Sequence, residues 1–416
     1  MVRRRRRKRV AEQQASYLPD PPLPPFASTP DEIQCAVERN SIERGVFFIK
    51  NLMTLDFPSL VRQVKQIARD YDKEEWCEAA ADLWIDIIAL KALDACEPCI
   101  PYPYYFCTPD ILTQHPELVM YYRNVAMVSQ KVMNDMELNT IAYEAGQIPA
   151  PDVALDLTHH FNLLVSALVT TGKVTPQRHL EMAYTNLGAS FDGSWRNEVG
   201  RLAYVGVITP LLLHLYEQGY LRSVLYILKG SIVAGDDETP SGALQELVVS
   251  EQTDLEAELK HLEEQRVLYR EVRLRNGNCL LLNRQITWYD AEGNAHRIGP
   301  DLFSSRDGDN ILWGGELKGG ADPAGSDEHW KTATRAFDRI LLACKDTGRS
   351  EPSLSFIATI LVERVAREAA EWIAEGKLTS VYNLTQIADD PAKQRQFLDD
   401  MAAFLGCQSA SGDESE

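Results

Sequence analysis

The chain has 416 residues, 45% hydrophobic and 25% charged, which is enough for two or three domains with a sizeable core and excludes a low-complexity or fibrous protein. A formal net charge of −19 argues against non-specific polyanion binding and leaves room only for a local basic surface. The longest apolar runs, such as the one within residues 205–216, are too short for a bilayer, and the basic start has no apolar h-region behind it. An intracellular chain with no membrane contact is expected.

Residues 1–30 are basic and then proline-rich. The seven residues 3–9 are all Arg or Lys, and Pro19, Pro21, Pro22, Pro24 and Pro25 follow. Such a segment buries too little apolar surface to fold and is predicted to be a disordered arm.

Residues 31–268 read as a large all-helical domain. Apolar residues recur at three- and four-residue steps through 57–71, 74–96, 110–136 and 154–171. Residues 195–218 and 221–233 read as buried helices, and 241–269 as a long charged helix. Within this half, Cys96, Cys99, Cys107 and His115 are either half-buried thiols in an aromatic loop or part of a zinc site. His159 and His160 are adjacent on a predicted helix, so they face different ways and do not share a metal.

The pattern changes near 269. Residues 271–274 and 280–289 are β-rich around the Asn276-Gly277 turn, and 296–303 and 311–318 flank a turn at 306–309. A helix over 327–344, a β run over 354–361, a helix over 363–375, a strand over 378–385 and a helix over 391–405 follow. This order predicts an α/β domain over 269–407 with a mixed sheet flanked by helices. Residues 408–416 form an acidic tail predicted to be disordered.

Chemistry concentrates between the last two strands of the hairpin. A turn centred between Asp307 and Gly308 sets Asp301 opposite Gly314, so Asp301, Glu316 and Lys318 share one face. Two adjacent carboxylates raise each other's pKa unless a cation intervenes, and hard oxygen donors of this kind suit Mg²⁺, with Mn²⁺ as a substitute. The Leu317 carbonyl is a further donor. The glycine-rich stretch 314–325 lacks the pattern of a nucleotide-binding loop. Beyond it, Lys331, Arg335 and Arg339 can contact phosphates, the last two four apart on one helix face.

Pro300-Asp301, fourteen intervening residues and Glu316-Leu317-Lys318 resemble the PD-(D/E)xK motif of type II restriction endonucleases. The run Gly319-Gly320-Ala321-Asp322-Pro323-Ala324-Gly325-Ser326-Asp327-Glu328-His329-Trp330-Lys331-Thr332-Ala333 is similar to a block in the AvaI/BsoBI, XamI and XcyI groups. The resemblance implies a restriction-endonuclease-like core over about 270–405. Asp301 and Glu316 would ligate the metal, Lys318 would be the catalytic lysine, and His329 would approach the reactive phosphate; the longer carboxylate spacing of the AvaI/BsoBI group makes Asp290 a rival for Asp301, which the hairpin favours. It further implies double-stranded DNA cut at a short palindrome, a homodimer, a methyltransferase encoded nearby and work in the prokaryotic cytoplasm. A structure-specific or repair nuclease, and a non-catalytic helical DNA-binding or interaction protein, are the competing expectations.

Overall fold

The computed structural model describes residues 22–172, 174–228, 243–306 and 310–407. They fall into two compact units: residues 38–216 with 221–272, and residues 1–37 with 217–220 and 273–416.

The first unit is built on helices Phe57–Asp70, Ile87–Asp94, Leu118–Val125, Pro151–Thr171 and Arg178–Glu217, with shorter helices between them. Phe57–Asp70 turns Phe57, Leu60, Val64 and Ala68 inward at helical spacing. They join a core rich in aromatic side chains, among them Tyr102, Phe106, Tyr121, Tyr122 and Phe161. Residues 110–136, expected as one helix, form three short ones (Pro109–Gln114, Leu118–Val125 and Gln130–Asp135). Thr108 and Ser129 cap the first and third through side-chain oxygens. Pro151–Thr171 and Arg178–Glu217 are long and apolar enough by length and composition to cross a membrane, contrary to the run-length reading. In the second of these, buried Glu198 is paired with Arg201 and with Arg266.

This unit is not all-helical. Residues 221–233, read as a helix, contain strand β1 (Leu221–Leu228); positions 229–233 lie outside the described residues. Gly219 at φ +73 stops the preceding helix, and Val224, Tyr226 and Ile227 favour the extended chain. The long helix expected over 241–269 is instead β2 (Gln245–Val248), helix Leu255–Glu264 and the start of β3 (Val267–Leu274). Asp254 caps that helix by accepting from the Ala257 amide at 3.2 Å, and Arg266 at φ +56 ends it. β1 pairs antiparallel with β2, and β3 lies on the other side of β1.

The second unit carries β4 (Cys279–Leu282), β5 (Ile286–Tyr289), β6 (Ala295–Ile298), β7 (Leu302–Ser305), β8 (Ile311–Lys318), β9 (Ser353–Ala358) and β10 (Ser380–Asn383). Its sheet order is β10-β9-β8-β7-β4. The β4–β7 and β7–β8 pairs are antiparallel, and β8–β9 and β9–β10 are parallel. This is the mixed sheet expected. Each parallel pair needs a crossover, supplied by helices Ser326–Thr347 and Glu363–Ala374. Ser326–Thr347 buries Trp330, Ala333, Phe337 and Ile340 in a core shared with Phe303, Leu354 and Phe356. Trp313 stacks on Phe404 of helix Pro391–Phe404, with ring centroids 5.5 Å apart.

Two strands are shorter than expected. Residues 296–303 divide into β6 and β7 at Gly299-Pro300, and 280–289 divide into β4 and β5 at Asn283, whose φ is +48. β5 and β6 make a separate two-stranded ribbon.

The arm predicted over 1–30 is corrected in its last part; residues 1–21 lie outside the described residues, as does the tail 408–416. Ser28 donates its amide to the Leu361 carbonyl, and its hydroxyl accepts from Leu361 N and Asn383 Nδ2, each at 2.9 Å. Gln386 Nε2 donates to the Ala27 carbonyl at 3.0 Å. Proline content did not prevent order here, because buried backbone and side-chain groups of the α/β unit find their partners on this segment.

Candidate active site

β8 is a largely buried strand whose last residues, ending at half-buried Lys318, carry the site. Gly315 is packed on the Trp313 ring, where an added Cβ would lie 2.7 Å from Cη2. Gly314 lies under the Leu354 side chain and the Pro300 ring, so the Gly314-Gly315 pair lets the strand run beneath bulky neighbours. Glu316 and Lys318 follow on one face.

Asp301 sits immediately before β7. The β7–β8 register pairs Leu302 with Gly315 and Phe303 with Gly314, so the next position sets Asp301 level with Glu316. The sequence reading placed it opposite Gly314. The irregularity between Ser304, which faces Trp313, and Ser305, which faces Ile311, accounts for one of the two residues of difference; positions 307–309 of the turn lie outside the described residues. A slip of two preserves the face, so the three side chains converge as expected. Asp301 Oδ2 accepts from the Leu317 amide at 2.8 Å and from Lys318 Nζ at 3.1 Å. Lys318 Nζ also donates to Glu316 Oε2 at 2.8 Å.

Glu316 is only 4% exposed. Burial, and then the charge of Asp301, push its pKa up to about 7 against the pull of Lys318. Burial disfavours the charged form of Lys318, but the Asp301 and Glu316 carboxylates more than offset it, and its pKa is raised. The cluster holds two carboxylates on one ammonium in a largely dry place, so it lacks positive charge.

The chain leaves β8 through Gly319-Gly320 into helix Ser326–Thr347, whose N-cap is Gly325 rather than Ser326 or Asp327. His329 is half-buried in the first turns of that helix. A Cβ on Gly320 would lie 2.5 Å from His329 Cε1, so the imidazole is packed on the loop backbone. Burial and the nearby Lys318 charge lower the His329 pKa, against Asp322 and Glu328. Gly320 was visible only as one glycine in a glycine-rich stretch. Thr359 went unread: at the end of β9, its amide donates to the Lys318 carbonyl at 3.0 Å.

Lys331, Arg335 and Arg339 are exposed at successive four-residue steps of helix Ser326–Thr347. Asp290 is committed elsewhere. It builds the β5–β6 turn by accepting from the Glu292 and Asn294 amides and from Asn294 Nδ2, and it pairs with His296. These bonds, Asn294's first, hold its pKa down at about 2. The cysteine cluster does not converge either: Cys107 is bonded to Asn162, Cys99 to Asp94, and Cys96 to backbone carbonyls. Among the described residues no group of three or more His, Cys, Asp or Glu side chains is arranged to hold a metal. A metal at Asp301 and Glu316 would therefore take its other ligands from backbone, water or substrate.

A mixed sheet flanked by helices, with acidic groups at the end of a central strand, is consistent with a restriction-endonuclease-like core. Residues 253–392 match the family described as Restriction endonuclease BsobI. The type II restriction enzyme BsoBI of Geobacillus stearothermophilus is 46% identical over 72 residues, 17% of this chain and 22% of that protein. The type II restriction enzymes AvaI of Nostoc sp. and of Anabaena variabilis match to the same extent. This region of the chain is thus AvaI/BsoBI-like, the first of the groups its motif block resembles. The aligned segment spans 22% of the length of each of these curated relatives.

Proposed function

We propose that the chain is a type II restriction endonuclease that hydrolyses phosphodiester bonds of double-stranded DNA at a short palindrome with Mg²⁺ or Mn²⁺. The observation that carries this reading is the convergence of Asp301, Glu316 and Lys318 at the end of β8, inside the segment that matches the restriction-enzyme family.

The donor set fits a hard divalent cation. It offers two carboxylates, one of them buried, with a deficit of positive charge. The Leu317 amide points at Asp301, and in an extended strand the carbonyl of the same residue points to the same edge. Asp301, Glu316 and the Leu317 carbonyl would hold the ion, leaving positions for water and a phosphate oxygen. When bound, it would polarise the scissile phosphate and acidify a water.

Lys318 has two tasks. Its ammonium keeps both carboxylates in place, and beside a bound cation it would orient the attacking water and balance charge at phosphorus. His329, with a lowered pKa, is poised to be neutral at working pH and to accept a proton from that water. Lys331, Arg335 and Arg339 would lie along a DNA backbone. Cutting both strands of a palindrome calls for two active sites related by a two-fold axis, hence a homodimer. The enzyme would act in a prokaryotic cytoplasm, with a cognate methyltransferase encoded nearby to protect the host DNA.

The test is digestion of a plasmid of known sequence with Mg²⁺ and with EDTA, using wild type and Glu316→Ala. Discrete bands with Mg²⁺, none with EDTA, and binding without cutting by Glu316→Ala are expected. Undiminished cutting by Glu316→Ala would refute the site, and a smear in place of bands would point to the competing repair or structure-specific nuclease.

A further inference from the structure

Helix Pro30–Leu55 is 26 residues long, yet Ala36 is its only buried side chain. One side is used. Phe47 packs on Trp195 and Phe48 on Phe191, with centroids 5.4 and 5.7 Å apart, and Arg44 pairs with Asp192 at 2.7 Å. Another side is apolar and bare. Ile42, Val46, Ile49 and Met53 are 69%, 46%, 61% and 75% exposed.

These four residues are spaced by four, three and four positions, the seam of a helix that packs against another helix. An isolated exposed leucine needs no explanation, but a continuous row at this spacing does. Gly45 flanks the row with nothing within 4 Å of where its Cβ would stand, so a second helix can approach closely on that side.

Charge decides what that helix is and which way it runs. With Val46 and Met53 at one type of core position and Ile42 and Ile49 at the other, Glu43 and Lys50 occupy equivalent flanking positions. If two copies of this helix pair antiparallel, Val46 meets the second copy's Ile49 and Ile42 meets its Met53. Glu43 then lies beside the second copy's Lys50, and the two-fold axis repeats that pair at the other end. A parallel pairing instead sets Glu38 beside the second copy's Glu43, a like-charge contact. The row is complementary to itself in one orientation only.

We propose that the face formed by Ile42, Val46, Ile49 and Met53 is an antiparallel docking seam for a second copy of this chain. The seam deepens the two-copy reading given above but stands on the helix, not on the nuclease site.

The experiment is sedimentation velocity on the full-length protein without DNA over a range of concentrations, with plasmid cleavage and a melting curve measured in parallel. Wild type should be dimeric. Ile49→Glu should raise the dimer Kd at least roughly 100-fold, because two buried isoleucines are lost per dimer, with the melting curve of the monomer unchanged. Glu43→Lys and Lys50→Glu should each weaken the dimer, and the combined Glu43→Lys/Lys50→Glu variant should restore it. A wild type that stays monomeric, an Ile49→Glu dimer of unaltered Kd, or a combined variant no better than the single ones would overturn the seam. Cleavage separates the two readings. An Ile49→Glu protein that stays dimeric and cuts DNA retires only the seam. A wild type that dimerises through this helix but never cuts retires only the nuclease.

Discussion

Gly320 and His329 are in van der Waals contact so close that any side chain at 320 would enter the imidazole's space. The loop leaving β8 therefore sets the position of the ring. Gly320→Ala should slow single-turnover cleavage by up to about 100-fold, the scale of a misplacement near 1 Å. His329→Ala should be as slow, and adding Gly320→Ala to it should cost nothing further. Independent, multiplying losses in the double variant would show that the glycine acts other than through the histidine.

The pH response of the metal-free protein follows from Glu316. In the folded chain its proton is held up to about pH 7, whereas an unperturbed glutamate loses it near 4.5. Between those values the folded state binds more protons than the unfolded state, so stability falls as pH rises through the window. The penalty is complete above pH 7 and absent below 4.5. In EDTA, Glu316→Gln should melt higher than wild type at pH 8 and lose that advantage at pH 5. A gain of roughly 2–4 °C corresponds to about 1 kcal/mol in a domain of this size. Mg²⁺ at pH 8 should raise the melting point of wild type and leave Glu316→Gln unmoved. Equal metal stabilisation of both proteins would place the ion elsewhere.

Replacing Lys331, Arg335 and Arg339 by alanine should weaken binding uniformly across sequences. The slope of log affinity against log salt should fall by about 0.9 for each phosphate that is no longer neutralised. A slope equal to that of wild type would make the row a solvated helix face.

Truncation separates two parts of the amino-terminal segment. Removal of residues 1–21 takes away the basic run, and should cost salt-sensitive affinity while leaving the cleavage sequence and melting point alone. Ser28→Ala leaves Leu361 N without its acceptor and Asn383 Nδ2 with the Phe26 carbonyl alone, and should destabilise by about 1–3 kcal/mol. A Ser28→Ala protein that melts with wild type would mean that water replaces the hydroxyl.

The site was legible because its logic is local. Asp301, Glu316 and Lys318 lie on two adjacent strands, and side-chain alternation fixes their face whether the register is off by zero or by two. The fold of the α/β unit was legible for the same reason, since its strands are short and bounded by turns. Residues 221–228 were not legible as a strand, because the run Val224-Leu225-Tyr226-Ile227-Leu228 is as apolar as a buried helix, and the stop at Gly219 was easily passed over. Nor could the sequence show that Ser28 belongs with Leu361 and Asn383, because no periodicity links positions so far apart. The row Ile42, Val46, Ile49, Met53 carries a plain helical period, yet only the structure shows that none of the described residues covers it.

Ser28 and Leu361 are separated by 333 positions, and Asn383 lies farther still. A ribosome makes the serine first and supplies its partners only after 333 further positions or more. The α/β unit therefore cannot close around its amino-terminal segment while the chain is still short, and loop closure over that span is entropically unfavourable and slow.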